Sequence, residues 1–225
     1  MAVSYDNSSI SAAAGNVTSF TFNHTSSVGV KGVIVFVFDF NNVIMTSSVN
    51  YGDTTMTKIT GAVAKDVSGE PCYLQTFFLG SGISSGEKTI TVSKSEGNVT
   101  SYAICVSFLA NGNTELSSAV LLDESGTYSE QNVDDGSPGT NSLRVCAGFS
   151  GNSPLLTAGE NSTYLVGVSP GGFSRSINLC RETTAGQGSR PVGFSYAISD
   201  DRAAVHIAVK EIVAATNTSN FLQLF

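Results

Sequence analysis

Apolar and polar residues alternate along this chain in short runs, separated by glycine, serine, asparagine and aspartate. From Val17 to His24, Phe20 and Phe22 point one way and Ser19 and Thr21 the other. That period of two is the signature of a half-buried strand. Glu87 to Lys94 sets Ile90 and Val92 against Thr89, Thr91 and Ser93. Ser101 to Leu109 sets Tyr102, Ile104, Val106 and Phe108 against Ala103, Cys105 and Ser107. Gly32 to Phe40 (GVIVFVFDF) is apolar on both faces, with Ile34, Phe36 and Phe38 on one and Val33, Val35 and Val37 on the other. Such a strand has to be covered on both sides. Cys72 to Leu79, Ser117 to Asp123, Leu143 to Phe149, Thr163 to Val168, Ser174 to Cys180, Val192 to Ser199 and Ala203 to Val213 are also strand-like.

Ser47 to Tyr51 and Thr54 to Ile59 flank Gly52-Asp53 and read as a tight hairpin. Residues 61 to 71 and the very polar 124 to 142 read as loops. Ala12 to Ala14 and Val63 to Val67 have room for one helical turn each, and no longer helix is predicted. About a dozen strands in one series predict an all-β fold, a two-sheet antiparallel sandwich of jelly-roll type. The expected organisation is an N-terminal arm over residues 1–15, a single sandwich domain over 16–213 and a C-terminal arm over 214–225.

The composition narrows the function classes. Hydrophobic residues make up 41% of the 225, enough for a real core, whereas charged residues reach only 13%. A soluble protein usually carries about 25%. Serine and threonine supply the polarity instead, which suits a chain that lies against neighbouring subunits. The net charge is −7 and the cations are scattered singly. Phosphate recognition needs clustered cations, so nucleic acid is excluded as a partner and anionic membrane is disfavoured. The opening MAVSYDNSS lacks the charged and apolar regions of a signal peptide, and no stretch approaches the roughly 18 apolar residues of a membrane span. The expectation is a protein made without export.

Candidate chemistry is sparse. Cys72, Cys105, Cys146 and Cys180 match no metal spacing and read as buried reduced thiols, with one cross-strand disulfide as the alternative. His24 and His206 sit in strand patterns, where a histidine is usually a buried polar residue. His206 shares a face with Ala204 and Ala208 and opposes Val205, Ile207 and Val209. No serine lies in a GxSxG elbow. Asp134-Asp135 and Asp200-Asp201 read as solvated turns without a calcium-loop pattern. No catalytic residue, metal or cofactor is expected. Tyr51, Tyr128 and Phe173 are the exposed-aromatic candidates for glycan binding. The terminal FLQLF, through Phe221, Leu222, Leu224 and Phe225, is a candidate partner-binding segment.

The succession SFTFNH, GVIVFVF, SVNYGDTTMTKI, CYLQTFFLGSGISSGEKTITVS and SYAICVSFLA, from Ser19 to Ala110, resembles a family of jelly-roll-like β-sandwich domains. These occur in phage structural proteins and bacterial surface proteins. The resemblance rests on His24, Val49, Tyr51, Gly52, Met56, Thr57, Lys58, Tyr73, Leu74, Gly86, Lys88 and Thr89 to Val92. It implies a virion-surface or extracellular module that binds proteins or glycans, and it brings no catalytic residue. The expected function is a non-enzymatic virion structural protein, a capsid decoration or cement subunit or a head or tail fibre component. It would assemble in the host cytoplasm, as a homo-oligomer and possible trimer, on a major capsid protein or other virion protein. The alternative is a glycan-binding or adhesion module.

Overall fold

The computed structural model describes residues 3–41, 43–66, 71–97, 99–116, 121–123, 128–133, 142–151, 156–169, 175–184, 190–195 and 202–212. These are all strand, turn or extended chain, as the alternation predicts. The first half contributes β1 (Ser4–Ile10), β2 (Ser19–Ser26), β3 (Val30–Asp39), β4 (Thr46–Tyr51), β5 (Thr54–Thr55), β6 (Thr57–Asp66), β7 (Cys72–Leu79), β8 (Gly86–Lys94) and β9 (Ser101–Leu109). The second contributes β10 (Thr114–Leu116), β11 (Leu121–Asp123), β12 (Tyr128–Val133), β13 (Ser142–Ser150), β14 (Thr157–Ala158), β15 (Ser162–Val168), β16 (Ser176–Glu182), β17 (Arg190–Ser195) and β18 (Arg202–Glu211).

They form four antiparallel sheets. In the first half an inner sheet runs β1-β9-β3-β7-β6 and an outer sheet runs β2-β8-β4-β5. In the second, an inner sheet runs β10-β18-β13-β16-β15, with β11 also on β18, and an outer sheet runs β12-β17-β14. The two halves therefore repeat one strand order, β1-β9-β3-β7-β6 matching β11-β18-β13-β16-β15 and β2-β8-β4 matching β12-β17-β14. Val35 lies opposite Cys105 and Phe77, and its counterpart Cys146 lies opposite His206 and Cys180. Two residues on, Val37 faces Gln75 and Gly148 faces Asn178.

Three apolar layers hold the four sheets. The largest lies between the inner sheets and takes Ile34, Phe36, Phe38, Ile104 and Phe108 from one, with Val145, Phe149, Leu179, Val205 and Ile207 from the other. The other faces of the same strands make the remaining two. Val33, Val35, Val37, Ala103 and Cys105 pack on Val49, Tyr51, Ile90 and Val92 of the first outer sheet. Cys146, Cys180, Ala204 and Ala208 pack on Val192 and Phe194 of the second. The double-faced reading of β3 thus holds, and its two apolar sets enter the two layers as expected.

Four expectations change. Two sheets become four, because the inner strands of both halves have a second apolar face that needs its own cover. The N-terminal segment is no free arm. Ser4–Ile10 is an edge strand on β9, Val3 is buried and Ala14 bridges to Ser101. Its short polar side chains hid this, since an edge strand needs only one ladder and a few anchors. The segment after residue 60 extends β6 as far as Asp66, with a register break between Lys58 and Val63 in place of a loop or helical turn. Tyr128–Val133, inside the expected 124–142 loop, pairs with β17 along its length. The Gly52-Asp53 turn is as expected, with Gly52 at a left-handed φ of 57°. The segment 214–225 lies outside the described residues.

Because the central layer is shared by both halves, Phe36→Ala is expected to cost about 3–5 kcal/mol. Guanidinium denaturation followed by circular dichroism is expected to show one transition at a lower midpoint, not a separate loss of the first half.

Candidate functional site

The described residues that could do chemistry are concentrated inside the sheet stack. His24, near the end of β2, turns inward between the outer sheet and β1 and β9, and it has no solvent exposure. Its Nδ1 lies 2.9 Å from Ser9 Oγ on β1, and its Nε2 lies 3.0 Å from Ser107 Oγ on β9. Ser107 donates its hydroxyl to Asp6 Oδ2 at 2.8 Å, and Asp6 also accepts the Ser27 amide. With the Ser107 proton spent on Asp6, its oxygen accepts from Nε2–H, which leaves Nδ1 to accept from Ser9. Ser9 thus donates to His24, His24 to Ser107, and Ser107 to the Asp6 carboxylate, which only accepts. Tyr51 closes one side of the imidazole edge-on, with centroids 6.4 Å apart.

Hydroxyl, imidazole and carboxylate are also the parts of a catalytic triad, but here Ser107 stands between ring and acid. The imidazole is enclosed as well, and the bonds join three strands from two sheets. The arrangement pins β1 and β2 to β9. Burial lowers the His24 pKa to about 4 against a partial upward pull from Asp6. The ring is therefore neutral at physiological pH.

A second polar knot sits at the opposite end of β3. Asp39 is fully buried and accepts from the Thr46 amide and hydroxyl at 2.9 Å each, from Gln75 Nε2 at 2.9 Å and from Ser101 Oγ at 2.7 Å. It thereby holds β4, β7 and β9 at the end of β3. Nearby Lys94, also buried, donates to the carbonyls of Val99 at 2.6 Å and Ala14 at 3.3 Å. Desolvation lowers the Lys94 pKa, and the Asp39 charge opposes that shift. In the second half, Arg144 and Glu182 form a buried ion pair at 3.2 Å, and Glu182 Oε1 also accepts the Arg144 amide at 2.9 Å.

A third cluster lies beneath the second outer sheet. His206 has the face predicted for it, with Ala204 and Ala208. It is also fully buried, with Nδ1 2.9 Å from the Val192 carbonyl and Nε2 3.8 Å from Cys146 Sγ. The four cysteines are all buried. Burial pushes the Cys105 thiol well above its ordinary range.

Of the residues singled out from sequence, Tyr51 is corrected. Only 4% of it is exposed and its hydroxyl bonds Ser26 Oγ at 3.0 Å, so it offers no ring face to a sugar. It lies on the inward face of β4, which the nearby turn glycine concealed. Tyr128 pairs with Ser195 through its backbone, and its side chain lies outside the description. Phe173, Phe221, Leu222, Leu224, Phe225 and the Asp134-Asp135 and Asp200-Asp201 pairs lie outside the described residues. Sequence reasoning missed Asp39, the Asp6–Ser107 link and the Arg144–Glu182 pair. Asp39 alone left a signal, as a solitary acid ending a long apolar run.

Surface depressions offer little. One of about 370 Å³ is lined by Glu160, Asn161, Glu182, Thr183, Thr184 and Pro191, but Glu182 is committed to Arg144. No cluster of metal-ligating side chains occurs among the described residues. No family model, curated protein or solved structure matches the chain.

The neutral His24 makes stability depend on pH in a stated direction. Its folded pKa lies below the unfolded value, so the unfolded chain binds the extra proton first. The contribution, about 3 kcal/mol, is complete above pH 6.5 and is lost as pH falls to about 4. Denaturant midpoints of wild type and His24→Gln, measured across that window, are expected to converge as pH falls. For Asp39→Ala, which strands buried donors, the expected loss is about 3–5 kcal/mol at pH 7 in the same assay.

Proposed function

We propose that this chain is a non-enzymatic structural subunit of a virion, a capsid decoration or cement protein or a head or tail fibre component, built as two jelly-roll sandwiches in tandem. The first half pairs a sheet of order β1-β9-β3-β7 with one of order β2-β8-β4, and the second repeats this as β11-β18-β13-β16 with β12-β17-β14, which supports the jelly-roll reading. That architecture serves in capsid and lectin domains. Fold alone does not carry function, so the weight falls on the surface.

The observation that carries the proposal is the outward face of the first outer sheet. Its alternation places Ser19, Thr21, Asn23 and Thr25 of β2 in solvent. The ladders set Ser19 beside Ser93 and Ser48, Thr21 beside Thr91 and Asn50, and Asn23 beside Thr89. The result is a sheet face of aligned hydroxyl and amide groups, with Glu87, opposite Thr25, as the charge at the end of its rows. Such a face loses little on desolvation when a partner supplies matching hydrogen bonds, whereas buried unpaired charge costs far more. The His24 imidazole and the Asp39 carboxylate, by contrast, are spent on internal ties, which supports a holding role for this half.

Particles produced with Thr21→Lys and Asn23→Lys together provide the test. These exposed positions are expected to leave stability within about 0.5 kcal/mol of wild type. The protein is expected to co-purify with wild-type particles and to be missing from the protein profile of the variant. Wild-type particles that lack the protein would refute the proposal, and undiminished incorporation of the variant would remove this face from it.

A further inference from the structure

Four side chains lie in one row across the second inner sheet, on the face covered by the second outer sheet. Tyr164 of β15 pairs with Cys180 of β16, Cys180 pairs with Cys146 of β13, and Cys146 pairs with His206 of β18. The two thiols are thus direct cross-strand partners on one face of an antiparallel ladder. Opposed residues in such a ladder have Cα atoms about 4.5–5.5 Å apart, inside the roughly 4.4–6.8 Å that a disulfide spans. Neither of the other two cysteines has a cysteine among its ladder partners. Cys105 pairs with Val35 and Ser9, and Cys72 pairs with Asp66.

The surroundings favour reaction at Cys146. The His206 Nδ1 faces the Val192 carbonyl at 2.9 Å and must carry the ring proton. The lone pair of Nε2 then faces the Cys146 sulfur at 3.8 Å. Cys180 donates its thiol to the Gly193 carbonyl at 3.2 Å, on the strand that covers the row. A neutral imidazole beside a thiol is placed to take its proton as a general base.

We propose that Cys146 and Cys180 are an oxidisable pair, closed to a cross-strand disulfide by a small peroxide, with His206 as the base. The Cys146 thiol gives its proton to Nε2, and the thiolate attacks one oxygen of hydrogen peroxide. The O–O bond breaks, the sulfur becomes a sulfenic acid, and the departing hydroxide takes the proton back from His206 as water. The Cys180 sulfur then displaces the second hydroxyl, and its own proton leaves with that group as another water. In total, two thiols and one peroxide give one disulfide and two waters. Hydrogen peroxide is small and uncharged, so it can reach the row when the short outer sheet opens locally. The bond ties β13 to β16 and closes a long loop, which stabilises the folded chain.

The full chain treated with hydrogen peroxide, alkylated under denaturing conditions and mapped by non-reducing mass spectrometry tests this. A Cys146–Cys180 linked peptide is expected, with Cys72 and Cys105 still alkylated and Tm raised by roughly 5 °C or more. In Cys180→Ala, a sulfenic acid on Cys146 is expected, trapped by dimedone. In His206→Gln, disulfide formation is expected to slow at least about tenfold. Retention of four alkylatable thiols in the wild type, or first closure through Cys72 or Cys105, overturns the proposal whether or not the variants fold. An unchanged rate in folded His206→Gln overturns the role given to the imidazole.

Discussion

Everything in this structure depends on the need to cover both faces of the inner strands. β3 has phenylalanine and isoleucine on one side and valine on the other, and β9, β13 and β18 are also buried on both faces. A sheet made of such strands cannot leave either side in water, since apolar burial contributes about 25 cal/mol per Å². Each half meets the need by laying a small outer sheet on one face and the other half on the second. Neither inner sheet would keep its central-layer face dry alone. The halves are therefore interdependent although they repeat one plan. At the margins, β6 comes close to β18 and β1 comes close to β15, so the edges of the inner sheets shield each other.

A stack this apolar makes every enclosed polar group expensive, and the polar groups that persist tie strands together. Asp39 holds β4, β7 and β9 to the end of β3, His24 joins both sheets of the first half, and the Arg144–Glu182 pair joins the neighbouring strands β13 and β16. Replacing such a group by a smaller one leaves its partners stranded, which costs more than the bond itself contributed. Polarity here selects register where apolar contact would tolerate slippage. A β-rich chain of repeated valine and serine runs needs that selection.

The alternation rule recovered most of the longer apolar strands and their faces, because the side-chain period is imposed by the pleat and survives any arrangement of sheets. The two faces of β3 and the placing of His206 were legible for this reason. The number of sheets was not, because β12 and β14 are short or polar and owe their strand form to β17, a long-range neighbour. The same limit hid the chemistry. Ser9, His24 and Ser107 are far apart in sequence and meet only through the pairing of β1 with β9 and the packing of β2 over them. The opposition of Cys146 and Cys180 is a matter of register, which no local pattern encodes. Tyr51 was misread because the turn beside it suggested solvent, whereas its position in the alternation of β4 points inward.

The outward face of the first outer sheet follows from the same economy. Once its inner side is committed to the apolar layer, its outer side is free to vary, and it carries hydroxyls and amides in place of the usual charges. Charge would raise solubility but would have to be paired or stripped of water in any close contact. Hydroxyls, aligned by the ladder at the regular spacing of strands, can exchange water for a partner's groups one by one. A flat sheet also presents them without entropic loss from ordering a loop. A rigid stack with such a face is better suited to steady attachment than to turnover, since nothing in its described part must move for the face to be engaged.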